Sequence, residues 1–270
     1  MFKILMNRDK TYGKLCEYLK NTVEKFNLQN HKVICNVIVK GFSDNRAIRF
    51  HHGNLKVEFI RMPSNEYALV KGKEYLVRCR VGNGFGDAFT DMPKSYIGNL
   101  CDVIDLVYGD VGDRAIFFST LNALLNHLKI LNKTLHCIGR DPKKCGFRLA
   151  EYILNRFGRV KVAHIGFQPG HVEACSKYFK IYVTDLNPEN IGKNKFGIKI
   201  MDGELCNEDV LSKVDVACIT GSTIINGTLF ELIRWCLKYD VKPILYGVSI
   251  CGAAKILKLE HFCPYSRSKT

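Results

Sequence analysis

Apolar residues recur at helical spacing near the start of the chain. Tyr12, Leu15, Cys16, Leu19, Val23 and Phe26 share one face while Lys14, Lys20 and Lys25 take the other, which predicts an amphipathic helix. After residues 27–31 the period changes to two. The runs K-V-I-C-N-V-I-V-K at 32–40, the alternating stretches 46–50 and 55–60, and E-Y-L-V-R-C-R-V at 74–81 predict strands parted by turns at Gly41, Gly53, Gly72 and Gly82. Such an order suggests an antiparallel meander, so the N-terminal half reads as α+β. Next comes V-G-N-G-F-G-D-A-F-T-D-M-P at 81–93. A glycine cluster lets backbone approach another backbone or a ligand, and Asp87, Thr90 and Asp91 supply oxygens beside it. A helix expected over 113–131 has Ile116, Phe117, Leu121, Leu124, Leu125 and Leu128 on its apolar side and carries Asn122, expected as a satisfied core amide with a group turned towards a cleft as the alternative.

The second half alternates strand and helix. His136 and Cys137 end a short strand, Asp141 and Pro142 open a helix that Gly158 closes, and Cys145 falls in its first turn. Apolar runs at 160–166, 180–185, 214–219 and 243–248 predict strands, with helices at 171–179 and 229–239. Thr228 and Glu231 have the spacing of a capping box. Strands alternating with helices imply a parallel sheet covered on both faces, a Rossmann-like arrangement. The change of pattern near Thr134 divides the chain into an α+β domain at 1–134 and a Rossmann-like domain at 135–270.

With 270 residues the chain can bury two ordinary cores. No run of about 18 apolar residues exists, and the N-terminus acquires charge too early for a signal peptide. The expectation is a cytoplasmic protein with no membrane partner. The net charge of +14 raises the question of nucleic acid, but the lysines and arginines are scattered rather than gathered into a basic tract, so solvated faces explain them and nucleic acid is disfavoured. The oligomeric state is left open, a homodimer included. Twelve cysteines without an export signal are expected to be reduced thiols. Cys35, Cys79, Cys175, Cys218 and Cys236 fall in apolar patterns and are assigned to the core.

Loops that follow parallel strands converge on one crevice, and four of them here carry polar side chains. G-F-Q-P-G at 166–170 contributes Gly166, Gln168 and Gly170 at the position of a phosphate-cradling turn, although Pro169 removes a donor. Asp185 ends the next strand, where dinucleotide folds place the carboxylate that takes a ribose hydroxyl pair, and Asn187 follows it. I-T-G-S-T-I-I-N-G-T at 219–228 offers Thr220, Gly221, Ser222, Thr223 and Asn226 at a helix start suited to an anion. Y-G-V-S-I-C-G at 246–252 adds Ser249 and Cys251. Separately, His136, Cys137 and Cys145, with His261 and Cys263, are soft donors of the kind that bind transition metals. Neither a Ser-His-Asp order nor a carboxylate pair stands out, so no catalytic residue is assigned and enzymatic turnover is left undecided. The cleft is expected to take a metal ion or small-molecule ligand; the alternative is an enzyme binding S-adenosylmethionine or a dinucleotide for methyl or hydride transfer.

G-N-G-F-G-D-A-F-T-D-M-P at 82–93, the helix holding Asn122, D-L-N-P-E-N-I-G at 185–192 and T-G-S-T-I-I-N-G-T-L at 220–229 together resemble the heavy-metal chelation family. Its members join an enolase N-terminal-like domain to a Rossmann-like one. The resemblance implies that fold and a transition metal as ligand, and it carries over to Asp185, Asn187, Thr220, Gly221, Ser222, Thr223, Asn226, Gly227 and Thr228. The G-V-S-I-C-G closing loop departs from the proline-bearing form of many members.

Overall fold

Two sheets, one antiparallel and one mostly parallel, organise the chain, seen in a computed structural model that describes residues 2–38, 46–51 and 54–268. The turns expected at Gly41 and Gly53 lie outside the described residues. The first helix forms as its spacing predicts: α1 (Arg8–Lys25) is capped by the Asn7 side chain accepting from Lys10 N, and it buries Tyr12, Leu15, Leu19 and Val23.

The first sheet is antiparallel without being a meander. After β1 (Lys32–Ile38) the chain makes a separate hairpin, β2 (Arg46–His51) with β3 (Asn54–Arg61). It then returns as β4 (Tyr75–Val81), β5 (Gly84–Thr90) and β6 (Tyr96–Asn99), giving the spatial order β5-β4-β1-β6. The hairpin is an excursion that leaves β1 free to pair with β4 on one side and β6 on the other. Cys35 stands opposite Cys79 across β1 and β4, and the two form a disulfide, which corrects the assignment of these positions as free thiols. Cys175, Cys218 and Cys236 are free and buried as expected.

Between the sheets runs α2 (Val111–His127), opened by a reciprocal capping box in which Asp110 accepts from Asp113 N and Asp113 from Asp110 N. It buries every residue from Ala115 to Leu125, because one face meets β4 and β5 and another meets the second sheet's helices. A single cluster of buried side chains reaches from Tyr12 and Val77 through Phe118 and Leu121 to Ile165 and Ile219. The two sheets therefore share a core.

The second half follows in order as α3 (Asp141–Phe157), β7 (Lys161–Ile165), α4 (Pro169–Cys175), β8 (Lys180–Asp185), β9 (Asn194–Lys195), β10 (Ile198–Asp202), α5 (Gly203–Leu211), β11 (Val216–Thr220), α6 (Thr223–Asn226), α7 (Leu229–Lys238), β12 (Lys242–Tyr246), α8 (Cys251–Leu257) and β13 (His261–Phe262). Its strands lie in the order β13-β12-β11-β7-β8-β10-β9, all parallel to their neighbours except β9. Period-two alternation decides what each face meets. Val162, Val216, Cys218 and Ile244 pack with α3 and α4, while Ala163, Ile165, Ala217, Ile219 and Leu245 join the shared core. From β7 the chain moves to β8 on one side and later fills β11 on the other, so the strand order reverses between β7 and β11. That reversal opens a crevice at their carboxyl ends. Among the described residues no helix is long and apolar enough to cross a membrane.

Candidate functional site

A cavity of about 210 Å³ occupies this crevice. The loop after β7 supplies one wall. Gly166 adopts φ +85°, a conformation that favours glycine, and a Cβ there would meet the Thr220 methyl at 2.8 Å, so the loops after β7 and β11 touch. Gln168 lines the cavity, but its Oε1 accepts from His171 N and so caps α4. Gly170 is not among the lining residues; it packs against α3, where a Cβ would sit 2.6 Å from Pro142 O. The phosphate-cradle expectation at 166–170 thus meets a helix start whose donor is already taken and a glycine that serves helix contact.

Asp185 and Asn187 line the cavity from β8. The Asp185 carboxylate accepts from Asn187 N at 2.9 Å, Phe167 N at 3.1 Å and Asn190 Nδ2 at 2.8 Å. Of its roughly four lone-pair positions, three hold its own loop and the loop after β7 together. Asn187 Oδ1 accepts in turn from Glu189 N.

The 219–228 loop faces the same space with Thr220, Gly221, Ser222, Thr223 and Asn226. Gly221 N donates to Tyr246 O, and Thr223 Oγ1 donates to Thr220 O at 2.6 Å. Asn226 Oδ1 accepts from both Thr228 N and Thr228 Oγ1. The expected Thr228 to Glu231 capping box is absent, since Thr228 has helical φ and ψ and no side-chain cap bond; Asn226 makes the turn instead. In the loop after β12, Ser249 accepts from Phe89 N, which ties that loop to β5.

Across the cavity stand residues from the first half. Glu74, which pattern reading places only at the start of a strand, hydrogen-bonds Ser222, and burial pushes its carboxyl up to about 7, with Asp185 and Asp91 adding in the same direction. The signal for it in the sequence is slight: a carboxylate two residues after the turn glycine Gly72. Asp87, a candidate oxygen donor, is instead fully buried in a two-pronged ion pair with Arg78 at 2.6 and 2.7 Å, and its Oδ2 also accepts from His136 N.

His136, Cys137 and Cys145 all line the cavity. Leu135 beside them makes an isolated bridge to Arg267 in place of the short strand expected there. His136 Nδ1 is buried with no hydrogen-bond partner, and burial brings this imidazole down to about 4. Burial likewise pushes the Cys137 and Cys145 thiols well up, with Cys263, also on the cavity wall, contributing to both. Behind Cys145 lies a chain of imidazoles. His164 Nδ1 is 2.7 Å from Gly166 O, His164 Nε2 is 3.2 Å from His171 Nδ1, and His171 Nε2 is 3.3 Å from Cys145 Sγ. Burial lowers both histidines, His164 to about 4. The donor types suit a soft metal. Among the described residues, however, no three of His, Cys, Asp or Glu are grouped closely enough to hold a metal ion by themselves.

The fold and cavity define a mixed α/β protein with a crevice at the strand reversal of a mostly parallel sheet. Within it, residues 149–259 match the family DUF364, described as "Putative heavy-metal chelation". The resemblance read from the blocks at 185–192 and 220–229 falls inside that match. Two solved structures of that family share the fold. One, a protein of unknown function from Pyrococcus horikoshii, is 14% identical, with TM-score 0.53 over 88% of this chain and 79% of its own. The other, also of unknown function, from Desulfitobacterium hafniense DCB-2, is 16% identical, with TM-score 0.50 over 70% of this chain and 74% of its own. No curated protein matches the chain.

Proposed function

We propose that the protein binds a transition metal carried on a small organic ligand, with the soft side chains taking the metal and the 220–223 hydroxyls taking the carrier. The observation that supports this most is His136 Nδ1, a buried nitrogen without a partner on the wall that also bears Cys137 and Cys145. A buried polar atom left unpaired costs about 1–3 kcal/mol, and a ligand that satisfies it returns that free energy on binding. Among the described residues no three such donors are grouped, so this reading gives the remaining coordination positions to the carrier. The cavity volume of about 210 Å³ lies below the roughly 300–1,000 Å³ of pockets for drug-sized ligands, which favours a compact complex. Two observations argue against a dinucleotide or S-adenosylmethionine: Asp185 already accepts three hydrogen bonds, and Gln168 already caps α4.

Untagged protein titrated with zinc or cadmium and then gel-filtered should retain about one metal per chain. Cys137→Ser and Cys145→Ser should retain less, and thermal shift should show no response to S-adenosylmethionine or dinucleotides. Absence of retained metal in the wild type overturns the reading.

A further inference from the structure

The wall behind Cys145 is built in a way that the cavity's shape alone does not require. A carbonyl oxygen can only accept, so the proton on His164 belongs to Nδ1, the nitrogen 2.7 Å from Gly166 O. His164 Nε2 is then an acceptor, and His171 Nδ1, 3.2 Å away, must donate to it. That leaves the lone pair of His171 on Nε2, directed at Cys145 Sγ at 3.3 Å. The Gly166 backbone thus fixes two tautomers in series. The ring of Tyr246 lies 5.0 Å from the centre of His164 and 4.9 Å from that of His171, and its hydroxyl donates to the same Gly166 oxygen, so the rings are also clamped in orientation. Both His171 and Cys145 line the cavity, while His164 is fully buried behind them.

Ligating histidines characteristically donate their second ring N–H to a fixed acceptor, which sets the tautomer and raises the basicity of the ligating nitrogen. We propose that Cys145 Sγ and His171 Nε2 are the protein's preformed sulfur and nitrogen ligands for a soft divalent cation, with His164 as the residue that positions His171. The cation is one held in a small chelate with two exchangeable positions. On binding, the Cys145 S–H bond breaks, a sulfur–metal bond forms and the proton leaves to solvent; His171 Nε2 contributes its lone pair, and nothing is oxidised or reduced. The inference rests on the metal reading above but takes His171 in place of His136 and Cys137 as the partner of Cys145, although the sequence shows His171 and His164 only as parts of a helix and a buried strand.

Two measurements test it separately. Nitrogen-15 NMR of the metal-free wild type should show both His164 and His171 protonated at Nδ1; a proton on His171 Nε2 overturns the positioning role whether or not metal binds. Cadmium alone, titrated into the full chain, should produce a sulfur-to-cadmium ultraviolet band and an X-ray absorption shell with sulfur and nitrogen. Cys145→Ser should lose the band and His171→Asn the nitrogen. His164→Leu should weaken affinity by roughly 10–100-fold with the same coordinating atoms, and His164→Gln, which keeps an acceptor for His171, should recover most of it. Cadmium bound equally well by wild type, Cys145→Ser and His171→Asn would overturn the pair while leaving metal binding elsewhere in the cavity intact. Failure of the wild type to take up cadmium, with the tautomers as expected, would overturn the metal reading and the ligand role together.

Discussion

At the scale of single residues, the polar groups that sequence offers as ligands divide by what already occupies their lone pairs. Asp87 is the clearest case. It lies between Arg78, which it meets through both oxygens, and the His136 N–H, which Oδ2 also accepts, and neither charged side chain of the pair reaches water to any extent. Removing one member strands the other, a change that typically costs about 3–5 kcal/mol. Asp87→Ala is therefore expected to lower the unfolding free energy measured in urea by an amount of that order, and a loss below about 1 kcal/mol would show that Arg78 finds another partner. The same variant should reduce metal retention, because the bond that holds the His136 backbone is gone. Asn122 illustrates the complement. Its Nδ2 donates to Asp87 O and Val248 O and its Oδ1 accepts from Gly252 N and Cys251 Sγ, so the amide is the satisfied core group its helical context suggests and has nothing left for a ligand.

At the scale of elements, the stretch at 81–93 offers two readings from sequence, a backbone contact or a ligand loop, and the structure divides it: the glycines make the backbone contact, while Thr90 and Asp91 line the cavity. A Cβ on Gly86 would lie 2.6 Å from Asn122 Cβ and closer still to Ser119 O and Ala123 N, and one on Gly84 would run into Ala123 O. Ser119 O, Ala123 N and Ala123 O are main-chain atoms of α2 and cannot move aside. Gly86→Ala should cost roughly 1–3 kcal/mol, as overpacking generally does, and should shift the chemical-denaturation midpoint without altering metal stoichiometry; an unchanged midpoint would mean that α2 can slide on β5. The β7, β8, β11 and β12 strands are legible in the sequence because each is a short apolar run followed by turn residues, and from them follows the crevice. Segments 194–211 and 251–257 escape the pattern. In β10 and α5 polar residues such as Asp202 and Glu204 interrupt the period, and α8 is only seven residues long. The lone-pair occupancy of Asp185 and Asn226 is equally invisible, since it depends on backbone N–H directions that spacing does not encode. His171 could be suspected only after the helix start beside Cys145 was placed.

At the scale of the whole molecule, burial of neutral titratable groups sets opposing pH dependences. Glu74 has its folded value raised to about 7, above the ordinary glutamate value, so its contribution to stability is fully present below about 4.5 and is lost as pH rises through about 7. His136 and His164 are lowered to about 4 and His171 further, so their contribution is fully present above about 6.5 and is lost as pH falls through about 4. Between 4.5 and 6.5 the two effects oppose each other, and three histidines outweigh one glutamate. The melting temperature of the wild type should therefore fall steadily on acidification below about pH 6.5. Glu74→Gln removes the opposing contribution: it should melt higher than the wild type at pH 8, with the difference closing by pH 5. A difference that stays constant from pH 5 to pH 8 would mean that Glu74 is solvated rather than shut in with Asp91 and Asp185, and its place as a proton-holding wall of the cavity would have to be given up.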